Sequence, residues 1–131
     1  MTRILIVDDE VDTCRVMRRV FAKRGWTSDC CHESADALSA VRATRPDAVL
    51  LDVMMPGSDG FAVLAAIRGD PEFSTVPVLF YSALHDEATV NRALDAGADD
   101  YIPKLSSAQH ICGRLSLFVP DDAHLDTTHD W

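Results

Sequence analysis

Positive charge is scarce in this sequence. Twelve Lys and Arg residues stand against 21 Asp and Glu, a formal net charge of −9. Binding to nucleic acid or to an anionic membrane needs clustered Lys and Arg, so neither kind of partner is expected. Metal-type cysteine spacing is also missing. Cys14, Cys30, Cys31 and Cys112 form no C-x-x-C pair and no Cys/His group at zinc spacing. They read as small core or surface residues in a reducing compartment, with the adjacent Cys30 and Cys31 on opposite faces of a strand. His32, His85, His110, His124 and His129 show no ligand spacing and are expected at the surface. No apolar run is long enough to span a bilayer, and Met1 leads almost directly into a strand without a signal-peptide pattern. The expected location is therefore the cytoplasm. No repeat, linker or second domain is expected, and 131 residues with 47% apolar content suit one domain with a sizeable core.

Short apolar runs alternate with helical patterns. Ile4-Leu5-Ile6-Val7 and Ala48-Val49-Leu50-Leu51 are continuous runs, as strands buried on both faces of a parallel sheet require. Residues 26–31 read as a more polar edge strand, and residues 77–81 and 98–102 as the fourth and fifth strands. Helices are expected over residues 11–24, 34–44, 60–68, 87–96 and 107–118. Their inward faces are read from apolar spacing and include Val11, Cys14, Met17 and Phe21, then Ala35, Leu38 and Val41. The later helices add Phe61, Leu64 and Ile67, then Val90, Ala93 and Leu94, and finally Ala108, Ile111, Cys112 and Leu115. Gly25 fits the C′ position of the first helix, and Ser58 or Asp59 can cap the third. Five strand–helix units predict an α/β fold with a doubly wound five-stranded parallel sheet, flavodoxin-like order 2-1-3-4-5, and helices on both faces. The domain is expected over residues 1–119. Residues 120–131 are expected to form an acidic, disordered tail.

Chemistry gathers at the strand ends. Asp8-Asp9-Glu10 closes the first strand, Asp52 the third, Ser82 the fourth, and Lys104 lies just past the fifth. Carboxyl ends of parallel strands converge on one rim, where such sheets place ligands. One acid suffices to cap the following helix through its dipole. Three adjacent acids repel one another unless a cation compensates, so two of them are read as metal ligands. The acids suit Mg²⁺, a hard cation that takes a few carboxylates and keeps waters. Ser82 can hydrogen-bond an anionic oxygen and Lys104 can pair with one. That set fits phosphoryl transfer to Asp52.

Four stretches together resemble the receiver domain of two-component response regulators, of the chemotaxis-regulator type. They are Ile4-Leu5-Ile6-Val7-Asp8-Asp9-Glu10, Leu51-Asp52-Val53-Met54-Met55-Pro56-Gly57-Ser58-Asp59-Gly60, Ser82-Ala83, and Gly97-Ala98-Asp99-Asp100-Tyr101-Ile102-Pro103-Lys104. The resemblance covers roughly residues 2–118. It implies that Asp52 accepts a phosphoryl group from a histidine kinase or phosphotransfer protein. It also implies that Asp8 and Asp9 hold Mg²⁺ together with Asp52 and the backbone carbonyl of Met54, and that Ser82 and Tyr101 are the switch pair. The implied output is a protein partner at the surface of the fourth helix, fifth strand and fifth helix. The chain is expected to act alone and not as an enzyme on other substrates. Met54 and Leu84 take the positions that flank the path of hydrolytic water in the family. One departure is Leu105 after Lys104, where the family has a proline, often after a cis bond. A cis bond before a non-proline residue costs ~2.5–4 kcal/mol, so the sequence leaves the geometry of this loop and of the last helix's start open.

Two other functions use the same residue types. A phosphatase of the haloacid dehalogenase type also combines Asp, a hydroxyl, Lys and Mg²⁺, but its nucleophile follows the first strand in an Asp-x-Asp pattern. A phosphorylation-independent interaction module would keep only the fold. Degenerate receivers usually lose an acid or the Lys, and here none is missing.

Overall fold

The computed structural model describes residues 1–55, 58–84 and 86–120. Pro56, Gly57, His85, and residues 121–131, with His124, His129 and the expected tail, lie outside the described residues. Five strands form one parallel sheet: β1 (Arg3–Val7), β2 (Thr27–Cys31), β3 (Ala48–Asp52), β4 (Val78–Ser82) and β5 (Asp100–Pro103). Their spatial order is β2-β1-β3-β4-β5, the doubly wound order expected from the alternation of elements. Parallel neighbours require long crossovers. The helices supply them: α1 (Val11–Lys23), α2 (Ala37–Thr44), α3 (Gly60–Arg68), α4 (Glu87–Asp95) and α5 (Ala108–Ser116). No helix among the described residues is long and apolar enough to cross a membrane.

The continuous apolar runs are explained by two cores, one on each face. Ile4, Ile6, Ala48, Leu50, Leu79 and Tyr81 pack with Cys14, Met17 and Phe21 of α1 and Ile111, Cys112 and Leu115 of α5. Leu5, Val7, Val49, Leu51, Val78 and Phe80 point the other way, under α2, α3 and α4. Successive side chains leave a strand on opposite faces, so the apolar runs of β1 and β3, covered on both sides, have no polar alternation. Cys30 and Cys31 divide between the two cores in the same way. All four cysteines are free. Each fully buried Leu, Ile or Phe contributes roughly 1.5–3 kcal/mol, the reserve against which the charged rim must be set.

Several boundaries differ from expectation, each for a local reason. Trp26 precedes β2, because α1 ends in a left-handed glycine. Gly25 has φ 79°, and the Trp26 N–H folds back to the Phe21 carbonyl at 3.0 Å. The Trp26 ring then packs tilted at 45° to Phe21, with centroids 5.7 Å apart. The second helix opens with a 3₁₀ turn, Ser34–Asp36, which breaks the 3.6-residue spacing. Ala35 is therefore exposed, and Ala37 takes the buried place with Val41. Val11 and Ala108, expected inward, stand exposed in the first turns of α1 and α5. Leu94 is 46% exposed because α4 meets the sheet through Ala93. β5 begins two residues later than expected, since Asp99 is spent bridging to β4. Its N–H donates to the Val78 carbonyl, and its carboxylate accepts the Val78 N–H, both at 2.8 Å. The Lys104–Leu105 bond is trans.

Two contacts fix helices to the sheet's opposite rims. At the amino ends of β4 and β5, Arg68 on α3 donates to the Val76 carbonyl (2.7 Å), the Gly97 carbonyl (2.8 Å) and the Asp99 carboxylate (2.9 Å). At the carboxyl end of β3, Gly60 opens α3, with Asp59 as its cap. A Cβ on Gly60 would sit 2.8 Å from Val53 Cα and 3.0 Å from the Asp52 carbonyl oxygen. Both obstacles are backbone, so neither can rotate away. Gly60→Ala should therefore destabilise the fold by about 1–3 kcal/mol, the usual range for overpacking. Urea unfolding measures it, and an unchanged midpoint would show that the β3–α3 turn yields freely.

Candidate functional site

Strand register builds the site. Val7 pairs with Leu51, Asp52 with Tyr81, and Ser82 with Pro103. The next residue along each chain therefore meets its neighbours at one rim: Asp8 beside Asp52, then Ser82, then Lys104. Asp8, Asp52 and Ser82 are buried, while Asp9 and Lys104 are half-buried. A cleft of about 310 Å³ opens above them, lined by Asp9, Glu10, Asp52, Met54, Ala83 and Lys104.

Lys104 ties the acids together. Its Nζ lies 3.1 Å from Asp52 Oδ2, 3.2 Å from Asp8 Oδ2 and 2.8 Å from Glu10 Oε1. The Lys104 N–H also donates to the Ser82 carbonyl at 2.8 Å, which fixes the start of the loop after β5. Burial alone would lower the ammonium's pKa. Hydrogen bonds to Glu10 and Asp52 overcome that and hold it above the usual lysine value. Asp52 goes the opposite way for a carboxylate in an ion pair. Burial raises it above the ordinary range, against the lowering effect of the Met54 N–H, at 3.0 Å from Oδ1, and of Lys104. One ammonium thus leaves a buried carboxylate short of compensation.

That shortage is the test for a cation. Asp8, Asp9 and Asp52 can each offer an oxygen with all three within 4.8 Å of one another. Hard oxygen donors at this density suit Mg²⁺, and with Glu10 four carboxylates face one lysine. The residues present fit the ion. Met54 lies at the rim with its side chain 55% exposed. Ser82 Oγ accepts the Leu84 N–H at 3.0 Å. Tyr101 sits half-buried on the edge strand, edge-on to Phe80 at 6.2 Å, and its hydroxyl donates to the Leu84 carbonyl.

Three residues at the site were not legible as partners. Glu10 reads in sequence as a third acid, yet it bonds Lys104 from 94 positions away. His32, expected as a plain surface residue, places Nδ1 2.9 Å from the Asp8 carbonyl oxygen. A carbonyl only accepts, so Nδ1 carries the hydrogen. Tyr81, read only as a strand residue, donates its hydroxyl to Asp8 Oδ2. A phenol on an otherwise apolar strand was the available signal, since a buried hydroxyl needs a partner.

Residues 4–116 match the response regulator receiver domain family, and the chain belongs to it. The response regulator MprA of Mycobacterium tuberculosis (strain ATCC 25618 / H37Rv) is 35% identical over 125 residues, 92% of this chain and 54% of MprA. The chain thus spans about half the length of the curated relatives it matches. The BeF3-activated N-terminal receiver domain of RstA from Klebsiella pneumoniae aligns with a TM-score of 0.83 at 26% identity, covering 89% of this chain and 97% of that one. The signal receiver domain of a signal transduction histidine kinase from Syntrophus aciditrophicus gives 0.81 at 29% identity, covering 90% and 89%.

The raised Asp52 pKa carries a stability consequence. Folded Asp52 binds its proton more tightly than the unfolded chain does. It therefore costs nothing in acid, and the cost grows as pH rises through the window above the ordinary carboxylate range. The cost is complete once pH has passed the raised pKa. In metal-free buffer, Asp52→Asn should be more stable than the parent at pH 7, with a gap that closes toward acid. Urea unfolding at stepped pH measures this, and a variant less stable at pH 7 would mean the Lys104 pairing outweighs the burial.

Proposed function

We propose that Asp52 accepts a phosphoryl group from a phosphohistidine on a sensor histidine kinase or phosphotransfer protein, in the cytoplasm, and thereby changes a partner-binding surface. The observation that carries this reading is the convergence of Asp8, Asp9, Asp52, Ser82 and Lys104 on one rim of a receiver fold. In this reading residues 1–119 are the receiver and residues 120–131 an acidic tail. An Asp52 oxygen forms the new bond to phosphorus as the donor's N–P bond breaks, and that bond's electron pair stays with the departing imidazole. Asp8, Asp9, Asp52 and the Met54 carbonyl would hold Mg²⁺, which when bound neutralises charge on the phosphoryl oxygens. Lys104, already 3.1 Å from Asp52, pairs with another of those oxygens. The chain catalyses only its own modification and its slow reversal.

The switch follows from the same contacts. Phosphorylation adds charge beside Ser82, and its hydroxyl turns from the Leu84 N–H to a phosphoryl oxygen. Tyr101, held to the Leu84 carbonyl, is released with that loop. The affected face is α4, β5 and α5, and a protein partner reads it. Such a shift needs a contact that differs between the two states, and the new charge provides one.

Mass spectrometry after incubation with acetyl phosphate and Mg²⁺ tests the acceptor. One phosphoryl group is expected on the parent and none on Asp52→Asn. Full labelling of the variant would reassign the acceptor, and an unlabelled parent would favour the phosphorylation-independent module.

Lifetime of the phosphoryl group is a second measurable property. Met54 and Leu84, 55% and 43% exposed, line one groove with Phe61, Thr89 and Arg92, and Met54 also lines the cleft above Asp52. Neither can hydrogen-bond an attacking water. The parent should lose phosphate slowly and depend on a partner for resetting. Met54→Asn with Leu84→Glu should speed loss, by up to about 10²-fold if the new groups assist proton transfer. Decay after donor removal at fixed Mg²⁺ checks this, and equal rates would reject it.

A further inference from the structure

We propose that Tyr81 is a positioning residue for the cation site: its hydroxyl holds Asp8 ready for a divalent cation. The inference rests on the reading that Asp8, Asp9 and Asp52 bind such an ion. Tyr81 is 1% exposed and is the penultimate residue of β4, in register with Asp52. Its ring belongs to the core beneath α1 and α5, and its hydroxyl bonds Asp8 Oδ2. Apolar packing alone could be met by Phe. The hydroxyl adds only a polar group that must be satisfied in a dry interior.

Asp8 is held at each of its polar atoms. Its N–H donates to the Cys31 carbonyl at 3.0 Å, and its carbonyl accepts from His32 Nδ1 at 2.9 Å. Oδ1 accepts the Glu10 N–H at 2.9 Å. Oδ2 accepts from Tyr81 and faces Lys104 at 3.2 Å. The two donors on Oδ2 differ in kind. Lys104 is a cation and competes with any metal for the same negative charge. Tyr81 is a phenol and carries no charge at neutral pH. Lys104 Nζ lies over the Tyr81 ring, 5.2 Å from its centroid, so the phenol also marks the ammonium's inner limit. When a dication draws on the carboxylates, Tyr81 is the donor that stays and keeps Asp8 from rotating. Donors behind metal ligands typically change affinity 10–100-fold when removed.

Calorimetric titration of Mg²⁺ into the metal-free full chain tests this, using the parent, Tyr81→Phe, Tyr81→Met, Asp8→Asn and Asp8→Asn with Tyr81→Phe. Tyr81→Phe should weaken Mg²⁺ binding about tenfold, and Tyr81→Met, a second chain without a donor, should do the same. In the Asp8→Asn background Tyr81→Phe should change the Kd less than about twofold, because coupled residues are not additive. Unchanged affinity in both single Tyr81 variants overturns the inference. An equal loss with and without Asp8 also overturns it, since the effect would then come from core packing. A parent that takes up no Mg²⁺ overturns the cation site itself, a result separate from either of these.

Discussion

One ammonium stands among four carboxylates, and the upper rim of the sheet is arranged around that imbalance. Lys104 reaches Asp8, Asp52 and Glu10 at 2.8–3.2 Å. Two of those carboxylates are buried, and burying an ion costs several kcal/mol even in favourable surroundings. Two full hydrophobic cores offset that cost. Burial accordingly pushes the Asp52 carboxyl above the ordinary range, against the pull of Lys104. A buried carboxylate that is hard to keep charged would gain from a dication held between it and its neighbours.

The same register that creates that imbalance also made much of the site readable. Asp52 and Ser82 end strands, Asp8 and Lys104 each follow one, and parallel strands end on one rim by geometry. Their convergence therefore needed no knowledge of side-chain paths. The fold was legible for a related reason: apolar runs with no polar alternation leave room only for strands covered on both faces. What escaped depends on where side chains go. Glu10 has no visible partner in the local sequence, because that partner is brought to it by the last strand. Tyr81 looks like any aromatic β-former, and only the β1–β3–β4 register shows that its hydroxyl ends beside Asp8. His32 is exposed by area yet bonded through one nitrogen.

Helix faces were read well in mid-helix and poorly at the ends. Cys14, Met17, Phe21, Ile111, Cys112 and Leu115 are buried as spacing demands. Val11 and Ala108 share that spacing but sit in first turns, above the level the sheet can cover. Ala35 lies in a 3₁₀ turn, where the period is three. Each failure marks a place where the helical period was sound but the covering surface or the winding was not.

Arg68 sets how the far side of the molecule can move. Its guanidinium grips the Val76 and Gly97 carbonyls and the Asp99 carboxylate, all at the end of the sheet away from the acids. Gly97 lies two residues past the last residue of α4, so the carboxyl end of that helix is anchored. Its amino end, capped by Asp86, lies beside the loop that follows Ser82. Arg68 is thus a fulcrum and α4 a lever. In the proposed switch, a push at the rim would swing the amino end of the helix while Arg68 holds its foot.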